Sequence, residues 1–215
     1  MNSGSFTVGS STEVLIGEWA NDNADAFTSR TTGELNINGG TLTVDSPIYI
    51  STGYDGTVNQ TAGTATFNNK FYIGWGINKG KYNLSGGTMT TTGVAGLWNQ
   101  NDSGVSTFNV TGGQANFNTF VIGLTTDSTK DYELANVFNL NSGEVNTTET
   151  FTIRKTGTLN VAKNGETGGD GVFNANSIEI NNKGKLNMSS GTINLGSGGI
   201  TSSGGTYTIT LSGGT

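Results

Sequence analysis

An all-β, right-handed parallel β-helix (β-solenoid) of about eight coils is the fold this sequence predicts, and three observations predict it. A corner phrase of Ser, Thr or Asn followed by glycine recurs, ending at Gly4, Gly40, Gly63, Gly87, Gly113, Gly143, Gly165, Gly191 and Gly214, with a basic period of 22–26 residues. An alternating strand precedes almost every corner and another follows it, the period-two signature of extended chain. No stretch carries helical periodicity. Stacked short strands with glycine at the bends describe a solenoid, in which a coil cannot bury its apolar face alone and takes its core from its neighbours. The right hand follows from the general rule for parallel crossover connections.

The coil is read in order from its corner. Before it lies an apolar-Asn-apolar triplet: Leu35-Asn36-Ile37, Val58-Asn59-Gln60, Tyr82-Asn83-Leu84, Phe108-Asn109-Val110, Phe138-Asn139-Leu140, Leu159-Asn160-Val161 and Leu186-Asn187-Met188. The flanking residues face one way and the Asn the other. Gln60 breaks the apolar rule, and Thr210 stands in the Asn place of the last coil. The corner glycines supply the positive φ of a sharp bend. After the corner comes the second strand, with Phe6 and Val8, Leu42 and Val44, Ala65 and Phe67, Ala115 and Phe117, and Ile193 and Leu195 on its inner side. A third short strand closes on Ile16-Gly17, Ile50-Ser51, Ile73-Gly74, Ala95-Gly96, Ile122-Gly123 and Ile153-Arg154. A polar loop completes the turn. The whole of 1–215 reads as one solenoid domain, with larger insertions on one edge near 19–32 and 125–136 and an irregular coil near 165–182.

Composition narrows the functional classes. The chain has 35 glycines, one proline, no cysteine and no histidine, which excludes disulfide frameworks, His or Cys metal sites, Ser-His-Asp triads and Cys nucleophiles. The net charge is −6 and the ten basic residues are scattered, so no stripe awaits nucleic acid. No apolar run is long enough to insert in a bilayer as a helix. The opening MNSGSFTVGSS lacks the charged and apolar regions of a secretion signal. Both ends fall at the same phase of the repeat, which is the expectation for a segment of a longer array or a subunit that stacks end to end on itself.

FYIGWGINKGKYNLSGGTMT, and FVIGL preceded by FNVTGG, resemble a repeat of bacterial surface β-solenoids, the type associated with autotransporter (type V secretion) passengers and exosortase-sorted (PEP-CTERM) proteins. The match covers most of residues 1–161. The resemblance implies an extracellular or cell-surface, non-catalytic fibre or passenger, and it brings no catalytic residues.

Three outer features carry the candidate sites. Asn36, Asn59, Asn83, Asn109, Asn139, Asn160 and Asn187 would stack as a ladder of amides, which stabilises parallel arrays of strands. Thr41 and Thr43, Thr64 and Thr66, and Thr88 and Thr90 form pairs on three successive coils and resemble the ice-binding rows of solenoid antifreeze proteins, although threonine suits exposed strands by propensity alone. Trp19, Tyr54, Trp75 and Trp98 follow the third strand and could present a glycan-binding corner or simply pack it. Asp22, Asp25, Asp102, Asp127, Asp131 and Asp170 lie in Gly- and Asn-rich loops of the kind that can hold calcium. None reproduces a known calcium loop, and turn-forming Asp is the reading taken, with no cofactor expected. The carboxylates change position from coil to coil, so no catalytic pair is expected and the chain is read as a non-enzyme. The expected function is a structural repeat, a segment of a surface fibre or adhesin or a self-assembling filament subunit. A glycan or ice binder and a phage or viral fibre are the alternatives.

Overall fold

A computed structural model describes residues 1–10, 13–17, 32–75, 79–99, 105–123, 136–162 and 169–215. Seventeen strands join in one sheet, every strand pairing is parallel, and no helix occurs among the described residues. The chain is a parallel β-solenoid whose three stacks of strands wrap a single core. In the first stack Asn36 pairs with Asn59, and the register continues through Asn83, Asn109, Asn139, Asn160 and Asn187 to Thr210. In the second, Phe6, Leu42, Ala65, Met89, Ala115, Val145, Phe173 and Ile193 stand over one another. In the third, Ile16, Ile50, Ile73, Leu97, Ile122, Ile153 and Ile180 do so.

The core is closed in the middle of the rod and open at its outer levels. Six consecutive second-stack positions, Leu42, Ala65, Met89, Ala115, Val145 and Phe173, are buried, so about six turns enclose the core fully. Beyond them Phe6 is 57% exposed and Leu211 65% exposed, because nothing is stacked on their outer side. Aromatic rings fill the centre. Tyr82, Phe108 and Phe138 occupy one inward position at successive levels, and their rings stack at 5.0 and 4.8 Å within 9° of parallel. The rise of a parallel sheet, roughly 4.8 Å per strand, is also a good ring-stacking distance, so backbone spacing and side-chain packing agree.

One expected corner and one expected strand end move. Gly165 lies outside the described residues, and the register puts Gly171 one residue before Val172, where Gly143 precedes Glu144 and Gly191 precedes Thr192. A Cβ on Gly191 would meet the Gly171 carbonyl oxygen at 2.5 Å, the contact that Gly143 makes with Gly113 at 2.6 Å. The NGETGGDGV stretch offers several glycines, and spacing alone picks the wrong one. The second correction is Ala95-Gly96: Leu97, not Ala95, pairs with Ile122 and Ile73, so Trp98 occupies the place taken elsewhere by Gly17, Ser51, Gly74 and Gly123. The coil near 165–182 regains strand pairing over Val172–Ala175 and Ser177–Ile180. Its irregularity in that strand is a register shift at the bend between Ala175 and Ser177. The insertions at 19–32 and 125–136 lie almost wholly outside the described residues.

Gln60, the exception to the triplet rule, faces the core and is fully buried. Its Oε1 accepts the Tyr82 hydroxyl at 2.5 Å, and its Nε2 donates to the carbonyls of Thr88 at 3.0 Å and Gly63 at 3.3 Å. Burial drives the Tyr82 phenol far above its ordinary pKa, so it remains a neutral donor. An amide in the core therefore tolerates burial because each of its polar atoms is met. Tyr82→Phe is expected to cost about 1–3 kcal/mol in urea denaturation, the penalty for stranding the Gln60 oxygen. A double-mutant cycle with Gln60→Leu checks this, since independent sites would show no coupling.

Candidate functional site: polar ladders and an aromatic cluster

Side chains on the outer side of the first stack have neighbours one level above and below, and neutral amides satisfy both. The Nδ2 of Asn59 donates to Oδ1 of Asn36 at 3.0 Å. The same bond repeats from Asn83 to Asn59 (2.9 Å), Asn109 to Asn83, Asn139 to Asn109 and Asn160 to Asn139 (2.8 Å each), and Asn187 to Asn160 (3.0 Å). All seven predicted ladder residues are thus joined. At the first rung the Glu34 carboxylate accepts from both Asn36 and Asn59, at 3.1 and 3.0 Å.

The second stack's outer row begins with hydroxyls and changes to amides. The three predicted threonine pairs stand in register, Thr41 with Thr64 and Thr88, Thr43 with Thr66 and Thr90. Ser5 and Thr7 add a further level beneath them. Thr90 then accepts the Asn116 amide at 3.5 Å, and a second ladder runs from Asn116 through Asn146 and Asn174 to Asn194, at 3.0, 2.8 and 2.8 Å. Sequence reading found the end of the threonine rows but not this amide row, although Asn116, Asn146, Asn174 and Asn194 recur two residues into the second strand. A third row follows the bend after that strand, where Asn68 donates to Asp45 at 2.7 Å and the Thr148 hydroxyl to Asn118 at 3.5 Å.

The aromatic corner is partly redrawn. Trp19 lies outside the described residues. Tyr54 sits in the turn after strand Ile48–Ile50, its backbone amide bonded to the Gly17 carbonyl at 3.1 Å. Trp75 and Trp98 come together at 5.9 Å between ring centroids, and with them come two residues that sequence reading did not single out, Tyr49 and Tyr72. Trp75 stacks on Tyr72 at 5.0 Å and meets Tyr49 at 5.7 Å, while Trp98 stands edge-on to Tyr72 at 5.5 Å. Tyr49 pairs with Tyr72 in the third stack, and the period of two sends both rings outward. Desolvation raises both phenols above their ordinary pKa, and the charge of Glu13 adds to the rise at Tyr49. The available signal was the pair IYI and FYI, strands apolar on both sides where the other two stacks alternate.

Of the loop carboxylates, Asp22, Asp25, Asp102, Asp127 and Asp131 lie outside the described residues. Asp170 accepts the Ser142 hydroxyl at 3.3 Å, a contact between neighbouring coils. Comparisons with known proteins find no family model, no curated protein and no solved structure that matches this chain.

Proposed function

We propose that this chain is a non-enzymatic structural repeat, a length of an extracellular surface fibre or adhesin of the kind its corner phrases resemble. In the same reading it can join further solenoid levels end to end to make a filament. The observation that supports this reading is where the outward polar side chains direct their hydrogen bonds. Asparagines 36 through 187 of the first stack and 116 through 194 of the second bond to their counterparts one level away, along the rod. An outer surface arranged in this way resists being pulled apart along its length, since each level contributes both backbone and side-chain bonds to the next. The apolar groups left open on the outermost levels, Phe6 and Leu211, stand in columns that are buried through the middle of the rod, at Leu42 through Phe173 and at Ile37 through Met188. A further parallel level laid over them would continue every column.

Electron microscopy and light scattering on the purified chain over rising concentration test the filament reading. The expected result is rods that lengthen with concentration by multiples of one unit, about 40 Å at roughly 4.8 Å per level. Uniform single-unit rods at the highest concentration would overturn it.

A further inference from the structure

The first five levels of the third stack differ from the other two stacks on their outer side. The first and second stacks put amides and hydroxyls there, whereas Val14–Ile16, Ile48–Ile50, Phe71–Ile73, Ala95–Leu97 and Phe120–Ile122 contain no amide, charge or aliphatic hydroxyl. Parallel strands apolar on both faces are the pattern of strands covered on both faces. Their outward row runs Leu15, Tyr49, Tyr72, Gly96 and Val121 before it turns polar at Thr152 and Glu179, and Trp75 and Trp98 join the centre of its apolar part. Trp75 remains 40% exposed.

We propose that the cluster of Tyr49, Tyr72, Trp75 and Trp98 is a binding site for a neutral polysaccharide chain. Three arguments select that occupant. The first is area: aromatic side chains present about 150–250 Å² each, and with Tyr72 only 7% exposed and Trp75 40%, the four together offer no more than roughly 300 Å². A stable lateral dimer needs about 800 Å² from each partner, so a second copy is underserved while a few sugar rings are not. The second is chemistry. A pyranose has a face of C–H groups and a rim of hydroxyls, and it matches rings that are apolar on the face and carry an O–H or N–H at the edge. Desolvation raises the Tyr49 and Tyr72 phenols above their ordinary pKa, so both stay protonated, and the half-buried Tyr49 is the more open of the two to donate to such hydroxyls. The third is charge: Glu13 lies close enough to act on Tyr49, and the chain carries −6, which disfavours an acidic glycan.

The test is tryptophan fluorescence of the full chain titrated with cellohexaose, with xylohexaose and with hexagalacturonate as the acidic arm. A saturable change with at least one neutral hexasaccharide and none with the acidic one is expected. Trp75→Ala should weaken binding by about tenfold, the value of one lost stacking face. Tyr49→Ala, on another strand, provides a second variant, and far-UV circular dichroism confirms that both stay folded. Absence of a saturable change with both neutral sugars overturns the proposal, as does undiminished binding by both variants. Lateral dimers in sedimentation that the two substitutions abolish would also overturn it, in favour of a second copy. Filament growth is read separately by microscopy, so either idea can fail without the other.

Discussion

Replacing Phe138 by alanine is expected to destabilise the rod by about 3–5 kcal/mol, measured as a shift in the urea midpoint. Its ring is fully buried, lies 1° from parallel on Phe108, and meets Phe120 and Phe151 at 5.3 and 5.5 Å in edge-to-face geometry. The void has little means of collapsing. The strands above and below are held by continuous ladders, at Phe108 on one side and Leu159 on the other, so the walls cannot move inward without breaking backbone bonds. Because each level touches only its neighbours, the defect should also divide the rod and broaden the transition. The comparison is Phe6→Ala on the open first level, where the side chain is already 57% exposed and the loss should be under about 1 kcal/mol. Equal midpoints for the two variants would refute the picture of a closed central core.

Gly113→Val is expected to be as damaging, at about 3 kcal/mol or more, for a reason that involves no cavity. Gly113 has φ +74°, a region that costs a β-branched residue on the order of 1–3 kcal/mol. A Cβ there would also stand 2.6 Å from the Gly87 carbonyl oxygen and 2.9 Å from the Gly86 carbonyl carbon, backbone atoms that are themselves tied into the coil below. Gly4 separates the two contributions. It has φ +83°, yet an added Cβ meets nothing within 4 Å, so Gly4→Val should show the conformational cost alone. Thermal midpoints of both variants decide the matter, and parity between them would mean that the stacking contact contributes nothing.

The stacks were legible because the repeat is written in residues with steep local preferences. Asn between two apolar positions marks which side faces out, and glycine marks where the chain must bend, so the register of Asn36, Asn59 and Asn83 could be read directly. The reading failed where those preferences were degenerate. Among the glycines of NGETGGDGV, the one at the corner is chosen by stacking on Gly191, a contact with a residue twenty positions away that local spacing does not encode. Ala95-Gly96-Leu97 slipped because alanine and leucine are both acceptable inward residues, and pairing with Phe120 and Ile122 decides between them. Tyr49 and Tyr72 were hidden for a different reason. A tyrosine between two isoleucines, or between phenylalanine and isoleucine, reads simply as a strand, and its membership of a surface cluster depends on Trp75 and Trp98 reaching back from the loops that follow. Gln60 was visible as an exception, but its explanation required Tyr82 to arrive one level up.

The amide ladders carry one more implication. In every rung of both asparagine columns the nitrogen points toward the earlier coil and the oxygen toward the later one. The small dipoles therefore add instead of cancelling, and each column runs in one sense along the rod. Any fibre assembled on this plan inherits a direction, like an arrow, from the orientation of a single side-chain group.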